Sequence, residues 1–121
     1  MKPEVKKMWV DALRSGKYRQ IEKFMSKRDR KGSGCGFCAL GVLHDLFILD
    51  TRKATWLERP GGWYSFVLVG SEDGEDIGTI REAISDWVGT ENTTFFSEII
   101  RRNDHVGLTF PQIADWIEAN L

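Results

Sequence analysis

Residues 37–47 are Phe37-Cys38-Ala39-Leu40-Gly41-Val42-Leu43-His44-Asp45-Leu46-Phe47. Ala39, Val42, Leu43, Leu46 and Phe47 fall at i, i+3, i+4, i+7 and i+8, the repeat that places apolar side chains on one face of an α-helix. Gly41 inside that helix costs about 1 kcal/mol relative to Ala. Its presence predicts that another element packs closely there. Upstream, Val5, Met8, Trp9, Ala12 and Leu13 repeat the pattern, with Lys6, Lys7, Asp11 and Arg14 opposite. Pro3 suits the first turn of that helix and Gly16 its stop. Between the two helices, Tyr18, Ile21, Phe24 and Met25 are apolar with a less regular spacing, compatible with a short helix or an extended arm. Residues 26–36 are Lys/Arg-rich and then Gly/Ser-rich, which predicts a mobile surface loop.

Downstream of the central helix, Pro60-Gly61-Gly62 marks a turn, and Trp63 to Val69 is aromatic and β-branched, as a strand should be. A partner around Thr55-Trp56-Leu57 would complete a small hairpin. Glu72 to Asp76 reads as an acidic turn. Three helices then close the chain. Thr79 and Glu82 have the spacing of a capping box before the stripe Ile80, Ala83, Ile84, Trp87, Val88, with Gly89 as the stop. A segment over residues 94–102 carries Phe95, Phe96, Ile99 and Ile100 and stops at Asn103. Thr109 and Gln112 repeat the capping-box spacing, with Leu108 and Ile113 as a hydrophobic staple, ahead of an apolar face of Phe110, Ile113, Ala114, Ile117 and Leu121. The expected fold is mainly α (α+β), about five helices packed as one domain over residues 1–121 with a small β-hairpin in the middle.

A length of 121 residues suits one core and argues against an enzyme with separate lobes. With 41% hydrophobic and 29% charged residues, the chain is not of disordered composition. No apolar run approaches the ~20 residues that cross a bilayer, and Met1-Lys2-Pro3-Glu4 opens no secretory signal. Two cysteines in such a chain point to reduced thiols and a cytoplasmic protein without membrane association. The net charge of −1 conceals an asymmetry: residues 1–31 hold 11 Lys/Arg against four Asp/Glu, and residues 32–121 hold six against 14. The basic limb is where a partner is first expected.

Three blocks carry a resemblance. They are Lys7 to Gln20, containing Ala12-Leu13-Arg14-Ser15-Gly16; Phe37 to Leu46, containing Cys38-Ala39-Leu40-Gly41-Val42-Leu43-His44-Asp45; and Asn103-Asp104 followed by Ile113-Ala114-Asp115. In this order they resemble a family of small uncharacterised proteins of tailed bacteriophages and prophages, over roughly the first 50 and last 40 residues. That family has a tryptophan helix ending Ala-Leu-Arg-Ser-Gly, a Cys-Cys-Leu-Gly-Val-Leu-Cys-Asp block and an Asn-Asp loop before an Ile-Ala-Asp helix. Cys38 stands at its first cysteine, while Ala39 and His44 replace the other two. The resemblance implies an accessory phage protein acting inside a bacterial host and supplies no mechanism.

Several constellations carry chemistry. Cys35-Gly36-Phe37-Cys38 is a C-x-x-C at a predicted helix start, where free amides and the helix dipole lower a thiol pKa. It lacks the buried strand that precedes redox motifs of this spacing. Cys38 with His105 and Asn103 or Asp104 has the order nucleophile, base, orienter of a cysteine hydrolase. Cys35, Cys38, His44 and His105 are a candidate zinc set, in which a zinc-stabilised module would bind nucleic acid. Asn103 to Thr109 is too short for an EF-hand calcium loop; Asn103 is expected to end a helix and Asp104 to bond the turn. Lys27, Arg28, Arg30 and Lys31 can meet phosphates or an acidic partner. Trp9, Trp87 and Trp116 lie near helical stripes, whereas Trp56 and Trp63 flank a turn and join the basic residues as a partner-facing patch. The leading expectation is a non-catalytic binding module, without cofactor, that inhibits a bacterial host or defence factor. Its partner would be a bacterial or otherwise acidic protein, with a small nucleotide-like ligand as a further candidate.

Overall fold

The computed structural model of the chain describes residues 1–28, 34–70, 77–90 and 94–121. In chain order it contains α1 (Pro3–Arg14), β1 (Arg19–Gln20), β2 (Ser26–Arg28), β3 (Cys35–Phe37), α2 (Ala39–Thr51), β4 (Ala54–Glu58) and β5 (Trp63–Leu68). They are followed by α3 (Ile77–Val88), α4 (Thr94–Arg101), a π-helical turn (Arg102–Val106) and α5 (Phe110–Asn120). The α+β class and the five α-helices stand as expected. The sheet is larger than a hairpin: its five strands run β1-β3-β2-β5-β4.

Only the β4–β5 half of that sheet has a sequence signal. Its five cross-strand pairs, Ala54↔Leu68 to Glu58↔Tyr64, are closed by a turn in which Gly61 and Gly62 both adopt φ values near +90° (+99° and +81°) that other residues avoid. The other half is made of two- and three-residue strands, too short to show alternation. β1 pairs parallel to β3 through Arg19↔Gly36 and Gln20↔Phe37. β2 pairs antiparallel to β3 and also to β5, with Lys27 opposite Trp63. The loop expected over residues 26–36 is therefore corrected at both ends, which are strands; the acidic stretch 72–76 lies outside the described residues.

α2 covers one face of the sheet. Phe66 meets the His44 ring edge-on at 4.8 Å and Phe47 at 5.8 Å, while Trp56 meets Phe66 at 5.7 Å and Phe37 at 6.0 Å. Gly41 fulfils its prediction: a Cβ there would sit 1.9 Å from the Met25 carbonyl oxygen. The same carbonyl accepts the Cys38 N–H at 3.2 Å, so the strand end before β2 lies directly on the first turn of α2. On the other side of α2 stand α1, α4 and α5. Trp9 is fully buried, donates its indole N–H to the Ala39 carbonyl at 3.0 Å, and meets Phe95 edge-on at 6.1 Å.

Two helix ends differ from expectation and one agrees. α3 already runs from Ile77, so Thr79 stands inside the helix and is no cap. The segment after α4 does not stop at Asn103; it continues as the π-turn to a left-handed Gly107. The Thr109–Gln112 capping box forms in both directions, as predicted for α5. The basic face of α1 is largely spent on α5: Arg14 bonds Asp115 at 2.7 Å and pairs with Glu118, and the Lys6 ammonium donates to the Glu118 carbonyl at 3.1 Å.

Candidate functional site

Cys38 is the N-cap of α2, and its Sγ accepts the Gly41 N–H at 3.3 Å. A helix start activates a thiol only where water can solvate the thiolate. Here the side chain is 6% exposed. Burial pushes the thiol up to about 11, the nearby Asp104 carboxylate acts in the same direction, and the N–H groups of Gly41 and Leu40 only partly oppose them. At neutral pH it is a protonated, packed SH group.

Beside it lies a buried amide that joins four parts of the chain. Asn103, 1% exposed, accepts the Ala39 N–H at 3.2 Å and a Gln20 side-chain N–H at 2.9 Å through Oδ1. Its Nδ2 donates to the Ile21 carbonyl and to Asp104 Oδ1, both at 2.8 Å. Gln20 in turn donates to the Leu108 carbonyl at 2.8 Å and accepts the Phe110 N–H at 3.1 Å. All four hydrogen-bonding positions of Asn103 are occupied, and every bond goes to another part of the protein. That is the pattern of a structural staple. It also corrects the expected helix-ending role of Asn103 and the turn-bonding role of Asp104.

Of the hydrolase candidates, the fold brings Cys38, Asn103 and Asp104 together and leaves out the base. His105 is exposed on the π-turn and makes no hydrogen bond with Cys38. Gln20, which completes the network, was not singled out in the sequence, because no local pattern marks a residue whose partners lie 83 to 90 positions away.

The zinc set is likewise dispersed. Cys35 is exposed on β3, and Cys38 caps α2. His44, expected on a helix edge, is instead fully buried, with Nδ1 against the Leu40 carbonyl at 2.8 Å. Burial lowers its pKa to about 4, against a weaker upward pull from that hydrogen bond. Among the described residues no three His, Cys, Asp or Glu side chains gather as a metal site.

The partner-facing candidates fare differently. The Lys27↔Trp63 pairing sets the basic strand beside the aromatic hairpin on the face of the sheet turned away from α2, since neighbouring residues along a strand point to opposite faces. Trp63 is 37% exposed and Leu57, opposite Ser65 in the hairpin, is 39% exposed. The Phe24 ring lies 6.2 Å from the Trp63 ring, and the Lys27 ammonium sits 4.9 Å over Phe24. Arg28 is exposed, pairs with Glu58 at 3.0 Å and donates its backbone N–H to Gly62 at 2.8 Å. Trp56 does not join the patch: its ring faces α2 and its indole N–H donates to Asp45 at 3.0 Å. Arg30 and Lys31 lie outside the described residues.

A family model described as "Domain of unknown function (DUF8296)" matches residues 1–121. The chain belongs to this family. No curated protein and no solved structure matches it. The DUF8296 chain thus carries two contrasting polar regions, the sealed Asn103 network and the Lys27–Trp63 face. Among its described residues no helix is long and apolar enough to cross a membrane.

Proposed function

We propose that this chain is a non-catalytic binding module, an accessory protein of phage or prophage origin that engages an acidic bacterial host or defence protein and inhibits it. The observation that carries the reading is the cluster of exposed Trp63 and Leu57 with half-buried Phe24 and Lys27, with Arg28 at its border. An exposed tryptophan flanked by an aliphatic side chain and cations is the composition of an interface anchor with a polar rim. The buried, protonated Cys38 supports the non-catalytic half of the reading. The phage origin rests on the sequence blocks around Leu13, Cys38 and Asn103.

Affinity purification from bacterial lysate, with mass spectrometry of what is retained, tests it. The chain and its Cys38→Ser variant should retain the same acidic protein. The Lys27→Glu/Trp63→Ala double variant should retain about tenfold less. Retention unaffected by the double variant, or abolished by Cys38→Ser with the fold intact, refutes the reading.

A further inference from the structure

The far end of β5 from Trp63, about 17 Å along the strand, holds a different kind of surface. A concavity of about 390 Å³ opens there, lined by Phe47, Arg52, Lys53, Leu68, Val69 and Ala83. Its volume falls at the lower end of small-molecule sites, about 300–1,000 Å³. Phe47 is buried, Leu68 and Ala83 are half-buried, and the charged residues on the described lining are both cations. Arg52 and Lys53 are exposed, and neither forms an ion pair with a described residue.

Arg52 is also held in an unfavourable backbone conformation. It ends α2 in the left-handed region, at φ +56° and ψ +22°, where glycine is the usual choice because it has no Cβ to crowd the backbone. The capping bond at this position, from its backbone N–H to the Ile48 carbonyl at 2.9 Å, needs no side chain. A cation does favour the C-terminal end of a helix dipole. That effect explains neither the second cation at Lys53 nor the apolar floor beneath the pair. Strain tolerated at a residue whose side chain lines a cavity is a pointer to function.

From this juxtaposition we infer that the concavity binds an amphipathic anion, a small molecule with a carboxylate or phosphate on an apolar body. The body packs on Phe47, Leu68 and Ala83, and the anion lies between the Arg52 guanidinium and the Lys53 ammonium, the two groups whose donors suit such oxygens. The site is separate from the Trp63 surface, so it stands or falls independently of the partner reading.

The test is titration of the full chain with the fluorescent probe 8-anilinonaphthalene-1-sulfonate, followed by displacement with decanoate and with decanol. The chain should bind the probe saturably, and decanoate should displace it with a Kd below about 1 mM. Decanol, with the same body and no charge, should be about tenfold weaker. Arg52→Gly/Lys53→Gln should weaken decanoate about tenfold while the thermal midpoint holds or rises, since glycine relieves the backbone at position 52. Ala83→Leu, which fills the floor, should weaken probe and decanoate alike. The inference is overturned if the chain shows no saturable binding, if decanol equals decanoate, or if the Arg52/Lys53 variant retains full affinity. Should Ala83→Leu fail to fold, the Arg52/Lys53 variant decides alone.

Discussion

Cys38 and Lys27 lie on neighbouring segments of one sheet-and-helix junction, yet their surroundings are opposite. Around Cys38 the polar groups of Asn103 and Gln20 are consumed by bonds within the protein, and the thiol is sealed from water. Around Lys27, itself half-buried, the Trp63 ring and Leu57 are exposed, where they can meet another molecule. The contrast teaches that a motif of reactive residue types is not a site until solvent can reach it. Cys38 and Asn103, which looked catalytic, hold the fold together, and the less conspicuous strand carries the accessible chemistry.

Breaking the staple should have the largest effect. Asn103→Ala orphans the Ala39 N–H and the Ile21 carbonyl together and should cost about 4 kcal/mol in chemical denaturation. Gly41→Ala drives a methyl into the Met25 backbone and should cost about 3 kcal/mol, with the β2 end of the sheet displaced.

The same buried side predicts a pH dependence. His44 is neutral in the fold, with its pKa lowered to about 4 by burial, so the unfolded chain takes up the proton first as pH falls below about 6.5. Stability should be full above that value and fall by up to about 3 kcal/mol as pH drops toward 4. His44→Leu should flatten this part of the stability curve measured by urea unfolding, leaving the carboxylate-dependent loss at lower pH.

Smaller effects sharpen the contrast. Cys38→Ser keeps an N-cap acceptor and should change stability by less than about 1 kcal/mol, whereas Cys38→Ala should lose about 1 kcal/mol of capping. Trp63→Ala with Lys27→Glu should cost about 1 kcal/mol, well below the staple variants, because Trp63 is 37% exposed and Lys27 is half-buried. If that pair instead unfolded the protein, the sheet face would be part of the core and the comparison would collapse.

How much of this was legible in the sequence depends on the length of the pattern. α1, α2 and α5 could be read because each spans three turns and repeats its apolar spacing, and the Thr109–Gln112 box formed because both its partners are local. Thr79 and Glu82 have the same spacing, yet α3 continues through Thr79 to Ile77, so a local signal alone did not place that boundary. Gly41 announced a close neighbour without identifying it. β1, β2 and β3 were not legible, since two or three residues carry no period and their pairing partners lie elsewhere in the chain.

The sequence by itself determined the helical stripes, the turn at Gly61-Gly62 and the chemical character of the basic limb, because these depend on neighbours within a few residues. Tertiary structure decided which charges remain free: Arg14 is taken up by Asp115 and Glu118 from the last helix, while Lys27 is left over the half-buried Phe24 ring. It also decided that Cys38 is packed and His44 neutral, for burial is a property of everything that surrounds a side chain, and both residues are enclosed by segments distant in the chain.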